Sequence, residues 1–286
     1  KVDEFMALDR APTGRCDPPP APRRHSFACS SFAAFGEATA GGRPLVGRNF
    51  DFAGHGLEES IHLILQEIPE GPGAGQPFVT VGYAGILNGW SAMNADGLFA
   101  SNNTLLGESD SVEGISTCFL LRKIVERGRT VEDGVDIVRK GPRACGTGML
   151  VAGRNRAGAW DARFVEFDHD SLAVVEPERG VVLATNTRQR LPFGGIAPAA
   201  VPSCRRFRTL KAVLDEWRGR LAFDSPSPNP AAKKGVYMAG NLHCVLADPE
   251  SRRFRLAVSP KPGKPAARQA FRTFRIEKTA VVEVKP

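Results

Sequence analysis

Long apolar runs are missing from this chain of 286 residues. None approaches the ~18 residues that a bilayer-spanning helix needs, which excludes a span by helices. Cysteine is scarce as well. The six residues Cys16, Cys29, Cys118, Cys145, Cys204 and Cys244 lie too far apart for a disulfide scaffold and include no C-x-x-C pair. No His/Cys cluster has zinc spacing, so neither a metal nor another cofactor is expected. The first 28 residues lack the apolar core of a signal peptide. The chain does not begin with Met, so it reads as a processed or trimmed product, and its compartment stays open.

Basic residues outnumber acidic ones, 38 to 31, for a net charge of +7. They lack the clustering with aromatics on one element that nucleic-acid binding wants, so no nucleic-acid partner is expected. Short clusters occur only at residues 205–208 and 252–255. Of the 38, 28 are arginine, whose planar forks suit carboxylates and phosphates, so acidic partners fit this composition. Hydrophobic residues make up 42% and charged ones 24%, enough for a sizeable core in one large domain or two.

Residues 1–28 stand apart. Pro18, Pro19, Pro20 and Pro22 with Arg23 and Arg24 make a stiff lead that cannot pair in a sheet. Strand-like segments follow at 29–35, 44–52, 61–68, 77–83, 90–93 and 98–105, the last two joined by an Asp96-Gly97 hairpin signal. Phe119, Leu120, Ile124 and Val125 recur at helical spacing, and Gly128 closes that helix. Thr130 and Asp133 read as a capping box opening a second helix. Strands resume at 148–152, 159–167 and 180–185. Ser203 caps a third helix with Leu210, Val213 and Trp217 on one face, residues 223–234 are a loop, and strands close the chain at 242–247, 254–258, 271–276 and 280–284. That order is α+β, a mostly antiparallel sheet system carrying helices.

Four segments carry a resemblance. Cys29-Ser30-Ser31 is followed by Gly47-Arg48-Asn49-Phe50-Asp51-Phe52; then come Gly89-Trp90-Ser91-Ala92-Met93-Asn94-Ala95-Asp96-Gly97-Leu98, Ala184-Thr185-Asn186, and Ser203 to Phe207. In this order they resemble the choloylglycine hydrolase and penicillin acyltransferase branch of the N-terminal nucleophile (Ntn) hydrolases. The resemblance implies a four-layer αββα sandwich, removal of residues 1–28 by self-cleavage, and a catalytic domain of residues 29–286 that opens on Cys29. It also implies cleavage of linear amide C–N bonds through a thioester acyl-enzyme, or transfer of the acyl group to another amine. The implied partner is a small-molecule N-acyl amide, without cofactor; homo-oligomer formation is left open. A silent binding module on the same fold is the alternative of a different class.

The chemistry needs few parts. A thiol attacks as thiolate, and a free α-amine on the same residue titrates near ~7.7–8.0, so one cysteine can supply nucleophile and base. The resemblance carries Arg48 and Asp51 over as neighbours of Cys29, Asp51 holding the amine and Arg48 poising the sulfur. In a regular strand, positions three apart face opposite sides, so both reach Cys29 only if the chain bends near Asn49-Phe50. Asn103 and Asn186 are carried over as oxyanion donors, with Asn102 a rival for Asn103 and a turn-forming role open for both. Arg206 shares a helical face with Leu210, Val213 and Trp217 and so points inward, where it needs an anionic partner. The plainer readings are a small buried cysteine and a surface ion pair. A separate histidine base would be His169, in a polar turn, or His243, in a strand; no local signature supports either.

Self-cleavage generates the first testable outcome. Wild-type protein should yield a chain of residues 29–286, roughly 28 kDa when the 30.8 kDa whole is scaled by length. Cys29→Ala should remain full length. Intact mass spectra of a fully active protein still carrying residues 1–28 would overturn the mechanism.

Overall fold

A computed structural model describes residues 28–52, 62–85, 89–192, 205–224 and 229–284. Residues 1–27, Cys204 and the Ser203 cap lie outside them. Two strands open the described chain, β1 (Ala28–Gly36) and β2 (Gly42–Asp51). Seven follow with two helices among them: β3 (His62–Glu67), β4 (Phe78–Tyr83), β5 (Ser91–Asn94), β6 (Phe99–Thr104), α1 (Thr117–Arg127), α2 (Val131–Lys140), β7 (Thr147–Arg154), β8 (Trp160–Phe167) and β9 (Leu172–Val175). The rest are β10 (Val181–Ala184), α3 (Arg205–Glu216), β11 (Asn241–Asp248), β12 (Arg253–Val258), β13 (Arg272–Ile276) and β14 (Val281–Val284).

The strands form two seven-stranded sheets, antiparallel throughout: β10-β1-β2-β11-β12-β13-β14, and β3 to β9 in chain order. Side-chain alternation explains the layering. Ala33 and Val46 face the second sheet, where they meet Val79, Met93, Phe99 and Phe164; Phe32, Ala34 and Leu45 face the other way, onto Leu210 and Leu214 of α3. On the far side, α1 and α2 set Leu120, Leu121, Ile124, Val135 and Val138 against Phe78, Ala100, Met149 and Val165. The result is helix, sheet, sheet, helix: the αββα sandwich. Among the described residues no helix is long and apolar enough to cross a membrane.

Local signals are realised in detail. Thr130 Oγ1 accepts from the Asp133 amide while Asp133 Oδ2 accepts from the Thr130 amide, the reciprocal capping box. Gly97 takes φ +86° in the β5–β6 turn, and Asn94 Oδ1 accepts from the Asp96 and Leu98 amides. Asn94 Nδ2 donates to Val125 O and Gly128 O, tying that turn to the end of α1. Three expectations need correction. Phe119 points outward, 46% exposed, and Leu121 takes the inward place because Thr117, Leu120, Leu121, Ile124 and Val125 share one face. Trp217 lies one residue past α3. Edge strand β9, four half-buried residues, was not foreseen because it carries no alternation.

Gly47 is needed for a close approach. A Cβ there would stand 2.1 Å from Phe32 Cε1 across the β1–β2 ladder. Gly47→Ala should therefore lower stability by about 1–3 kcal/mol, seen as a lower urea midpoint. Adding Phe32→Leu should recover part of that loss, a non-additivity that a mere strand-propensity effect would not produce.

Candidate active site

Cys29 is the second residue of β1, opposite Phe50 on β2, and its side chain lies on the inter-sheet face, 3% exposed. Two residues on, Ser31 is paired with Arg48, so the Arg48 side chain rises on the same face. Arg48 is fully buried, and its Nη2 lies 3.4 Å from Cys29 Sγ and 2.6 Å from Asn102 O; Nη1 donates to Asn49 O at 2.5 Å. Its Nε has no partner, and among the described residues no carboxylate lies within 4 Å of it. The sulfur is the group in contact with this guanidinium that can become an anion.

The Cys29 backbone is held separately. Its N–H donates to Asn186 Oδ1 at 2.6 Å, just beyond β10, and its carbonyl accepts from Arg206 Nη1 at 2.5 Å. Arg206 Nη2 also donates to Asn186 Oδ1 at 2.9 Å, so α3 does turn this residue inward. Asn186 Nδ2 donates to Thr104 O at 2.8 Å, and Asn103 Nδ2 to Thr185 O at 3.3 Å. Each amide carries two hydrogens, so each keeps one beyond the bond named. Both Asn102 and Asn103 lie in β6 rather than in a turn. Asn103 faces β1, accepting from Ser31 Oγ at 2.8 Å, whereas Asn102 contributes its carbonyl to Arg48.

Asp51 departs from expectation. From Ala34 opposite Leu45 the ladder between β1 and β2 stays in register down to Ala28 opposite Asp51, without the bend near Asn49-Phe50 that would bring Asp51 to the Arg48 face. The irregularity falls instead on β11, between Asn241 and His243. Asp51 therefore lies on the opposite face from Arg48, where Asn241 Nδ2 donates to its Oδ1 at 2.7 Å. Its Oδ2 has no hydrogen-bond partner. Burial pushes this carboxyl up to about 6 against the opposing pull of Arg206, Asn241, the Met238 amide and Arg48.

An aromatic cluster roofs the sulfur. Phe50 stacks on Phe52, Trp90 and His243 at centroid distances of 5.8, 5.6 and 5.1 Å, and Cys29, Tyr83 and Leu242 pack with them. His243 is wholly buried, and burial, with Arg48 and His62 adding to it, holds its imidazole well below its ordinary value. It is neutral near pH 7, and the neighbour its Nε2 meets is Ser91 Oγ at 3.4 Å. His169 sits in the turn after β8, bonded to Arg143 O. Burial raises the Cys244 thiol far above the ordinary range. Among the described residues no three His, Cys, Asp or Glu side chains converge as metal ligands would.

Residues 38–261 match the family model described as acyl-coenzyme A:6-aminopenicillanic acid acyl-transferase. The chain belongs to that family. The match spans Arg48, Asp51, Asn103, Asn186 and Arg206 and begins after Cys29. An uncharacterized protein of Archaeoglobus fulgidus is 28% identical over 156 residues, 53% of this chain; the chain spans about a quarter of that curated relative's length. Among solved structures, a Caenorhabditis elegans N-acylethanolamine-hydrolyzing acid amidase ortholog superposes with TM-score 0.59 at 14% identity, covering 87% of this chain and all of its own. Penicillin V acylase from Agrobacterium tumefaciens gives 0.52 at 12% identity, over 90% and 98% of the two chains. Both share the two-sheet sandwich with this chain.

Some supports were not foreseen. Glu166, fully buried on β8, accepts from three successive amides, Gln189, Arg190 and Leu191, at 2.5, 2.8 and 3.1 Å. Arg188 Nη2 pairs with the buried Asp168 at 3.1 Å. Together they pin the segment that carries Asn186. The signal was present: Glu166 falls in phase with inward Ala162 and Phe164, where a charge needs a partner.

A raised carboxyl couples stability to pH. The native state holds a proton on Asp51 up to about 6, the unfolded chain only to near 3.8. Stability from this group is therefore complete below about pH 4 and lost as pH rises through 6. In the Cys29→Ala background, Asp51→Asn should remove that loss, improving its stability relative to the Asp51 parent by on the order of 3 kcal/mol between pH 4 and 7. Parallel stability profiles for the two would refute the buried-carboxyl assignment.

Proposed function

We propose that this chain is an amidohydrolase with a cysteine nucleophile, cleaving linear amide C–N bonds of small N-acyl amides after removal of residues 1–28. The observation that carries this reading is the buried Arg48 guanidinium, which has no carboxylate within 4 Å among the described residues and touches the Cys29 sulfur. A cation so placed favours negative charge on sulfur in a site where water does not screen it.

Cleavage of the Ala28–Cys29 bond frees the Cys29 amine, which takes the thiol proton. The thiolate adds to the substrate carbonyl, and the spare N–H groups of Asn103 and Asn186 stabilise the oxyanion. Collapse forms a Cys29 thioester while the ammonium returns its proton to the leaving amine. Water, activated by the same amine, then attacks the thioester and releases the acid. Asp51, with an unpartnered buried oxygen one register step from Cys29, is the natural counter-charge for that ammonium. Arg206 and Asn186 hold the Cys29 backbone in place. The family's description favours acyl transfer as the second reading; the two share the thioester and differ in the nucleophile that resolves it.

A panel of N-acyl amides and penicillins, quenched and read by mass spectrometry, should show an acyl adduct on Cys29. Asn186→Ala should lower kcat by about 10²–10³ in a folded protein. Turnover without an adduct on Cys29 would overturn the proposal, and neither turnover nor adduct across the panel would favour a silent relative.

A further inference from the structure

A groove of about 710 Å³ opens beside α3, and the proposed reaction does not use it. Arg205, Arg206, Lys234 and Arg268 reach it from three separate parts of the chain, with Tyr237 and Met238 between them. Among the described residues, none that line it is acidic. Many arginines elsewhere pair with carboxylates: Arg43 with Asp248, Arg122 with Glu67, Arg156 with Asp133, Arg253 with Asp224, Arg272 with Glu283. Among the described residues, no carboxylate lies within 4 Å of any of the four groove cations.

Two of them are also held in place. Arg268 Nε donates to Tyr237 Oη at 2.6 Å, and Arg206 is anchored on Cys29 O and Asn186. Arg205 and Lys234 remain uncommitted. Four like charges line one concave space, offset in part where Asp51 interacts with Arg206, and such a field raises the local concentration of anions. Two arginine forks facing a groove suit a tetrahedral oxyanion, which each can grip with two parallel hydrogen bonds.

We propose that this groove binds a phosphate group, free or carried on a larger molecule, next to the Cys29 centre. Arg206 forms part of the wall of both places. The assignment stands whether or not Cys29 is the nucleophile, because it concerns binding alone.

The test is calorimetric titration of inorganic pyrophosphate into the full chain carrying Cys29→Ala, which cannot turn over by the proposed route. Saturable binding at one site is expected, weakening as NaCl rises because the cations are solvent-facing. Arg205→Gln/Lys234→Gln/Arg268→Gln should weaken it at least about tenfold with the thermal midpoint unchanged, and the lysine replacements Arg205→Lys/Arg268→Lys should keep part of it. Absence of saturable binding, equal binding by the triple variant, or tighter binding of citrate would each overturn the proposal. With active protein and an uncharged N-acyl amide, a raised KM in pyrophosphate identifies a phosphate carried on the substrate, and an unchanged KM identifies a separate phosphate ligand.

Discussion

A guanidinium taken wholly out of water must find negative charge or hydrogen-bond acceptors, at a cost of several kcal/mol if it finds neither. Arg48 is in that position. Two backbone carbonyls satisfy part of its fork, and the remaining neighbour is a sulfur. Much of the surrounding architecture follows from supplying those acceptors. Strand β2 brings Arg48 to the sheet interior, β1 sets Cys29 two residues from its cross-strand partner, and β6 of the other sheet lends the Asn102 carbonyl. The two sheets therefore meet at this arginine as well as through their apolar core.

The first sheet uses its two faces differently. Sulfur, Arg48 and the aromatic roof lie between the sheets; Asp51 lies on the α3 side, close enough to Arg206 for their charges to interact. One cysteine thus has its side chain on one face while its backbone is gripped by Asn186 and Arg206. Alternation along the regular stretch of β1 and β2 from Ala34 to Ala28 and Leu45 to Asp51 allows this, since adjacent positions serve opposite faces by default. The support of Asn186 by Glu166 and by the Arg188–Asp168 pair extends the same arrangement into the second sheet.

The sequence pattern carried the strands, the capping box, the Asp-Gly hairpin and the family, because each is written in residues close together along the chain. It also carried Cys29, Arg48, Asn186 and Arg206 to one place. What it could not carry was three-dimensional phase. The i, i+3 spacing of Arg48 and Asp51 posed a contradiction, and the expected bend was one solution; the actual one leaves β2 regular from Leu45 to Asp51 and puts an irregularity on β11, where Asn241 lies 190 residues from Asp51 in another local pattern. Asn102 against Asn103 was undecidable for a similar reason. Only the packing of β6 against β1 of the other sheet shows which amide faces Ser31. The phase of Glu166 on β8 marks a buried charge in need of a partner, but its partners are backbone amides, which no sequence motif announces.

The position of β1 has a consequence for durability. It is not an edge strand: β2 pairs along it from Ala28 onward, and β10 pairs its other side over Ser31–Ala34. Chain termini ordinarily fray, which is how exopeptidases obtain a grip. A terminus created at Cys29 would instead begin in the ladder with β2, two residues before β10 closes the other side, with its first side chain under an aromatic roof. Release of even one residue would require breaking ladder bonds to β2, so the new end should age no faster than the core that surrounds it.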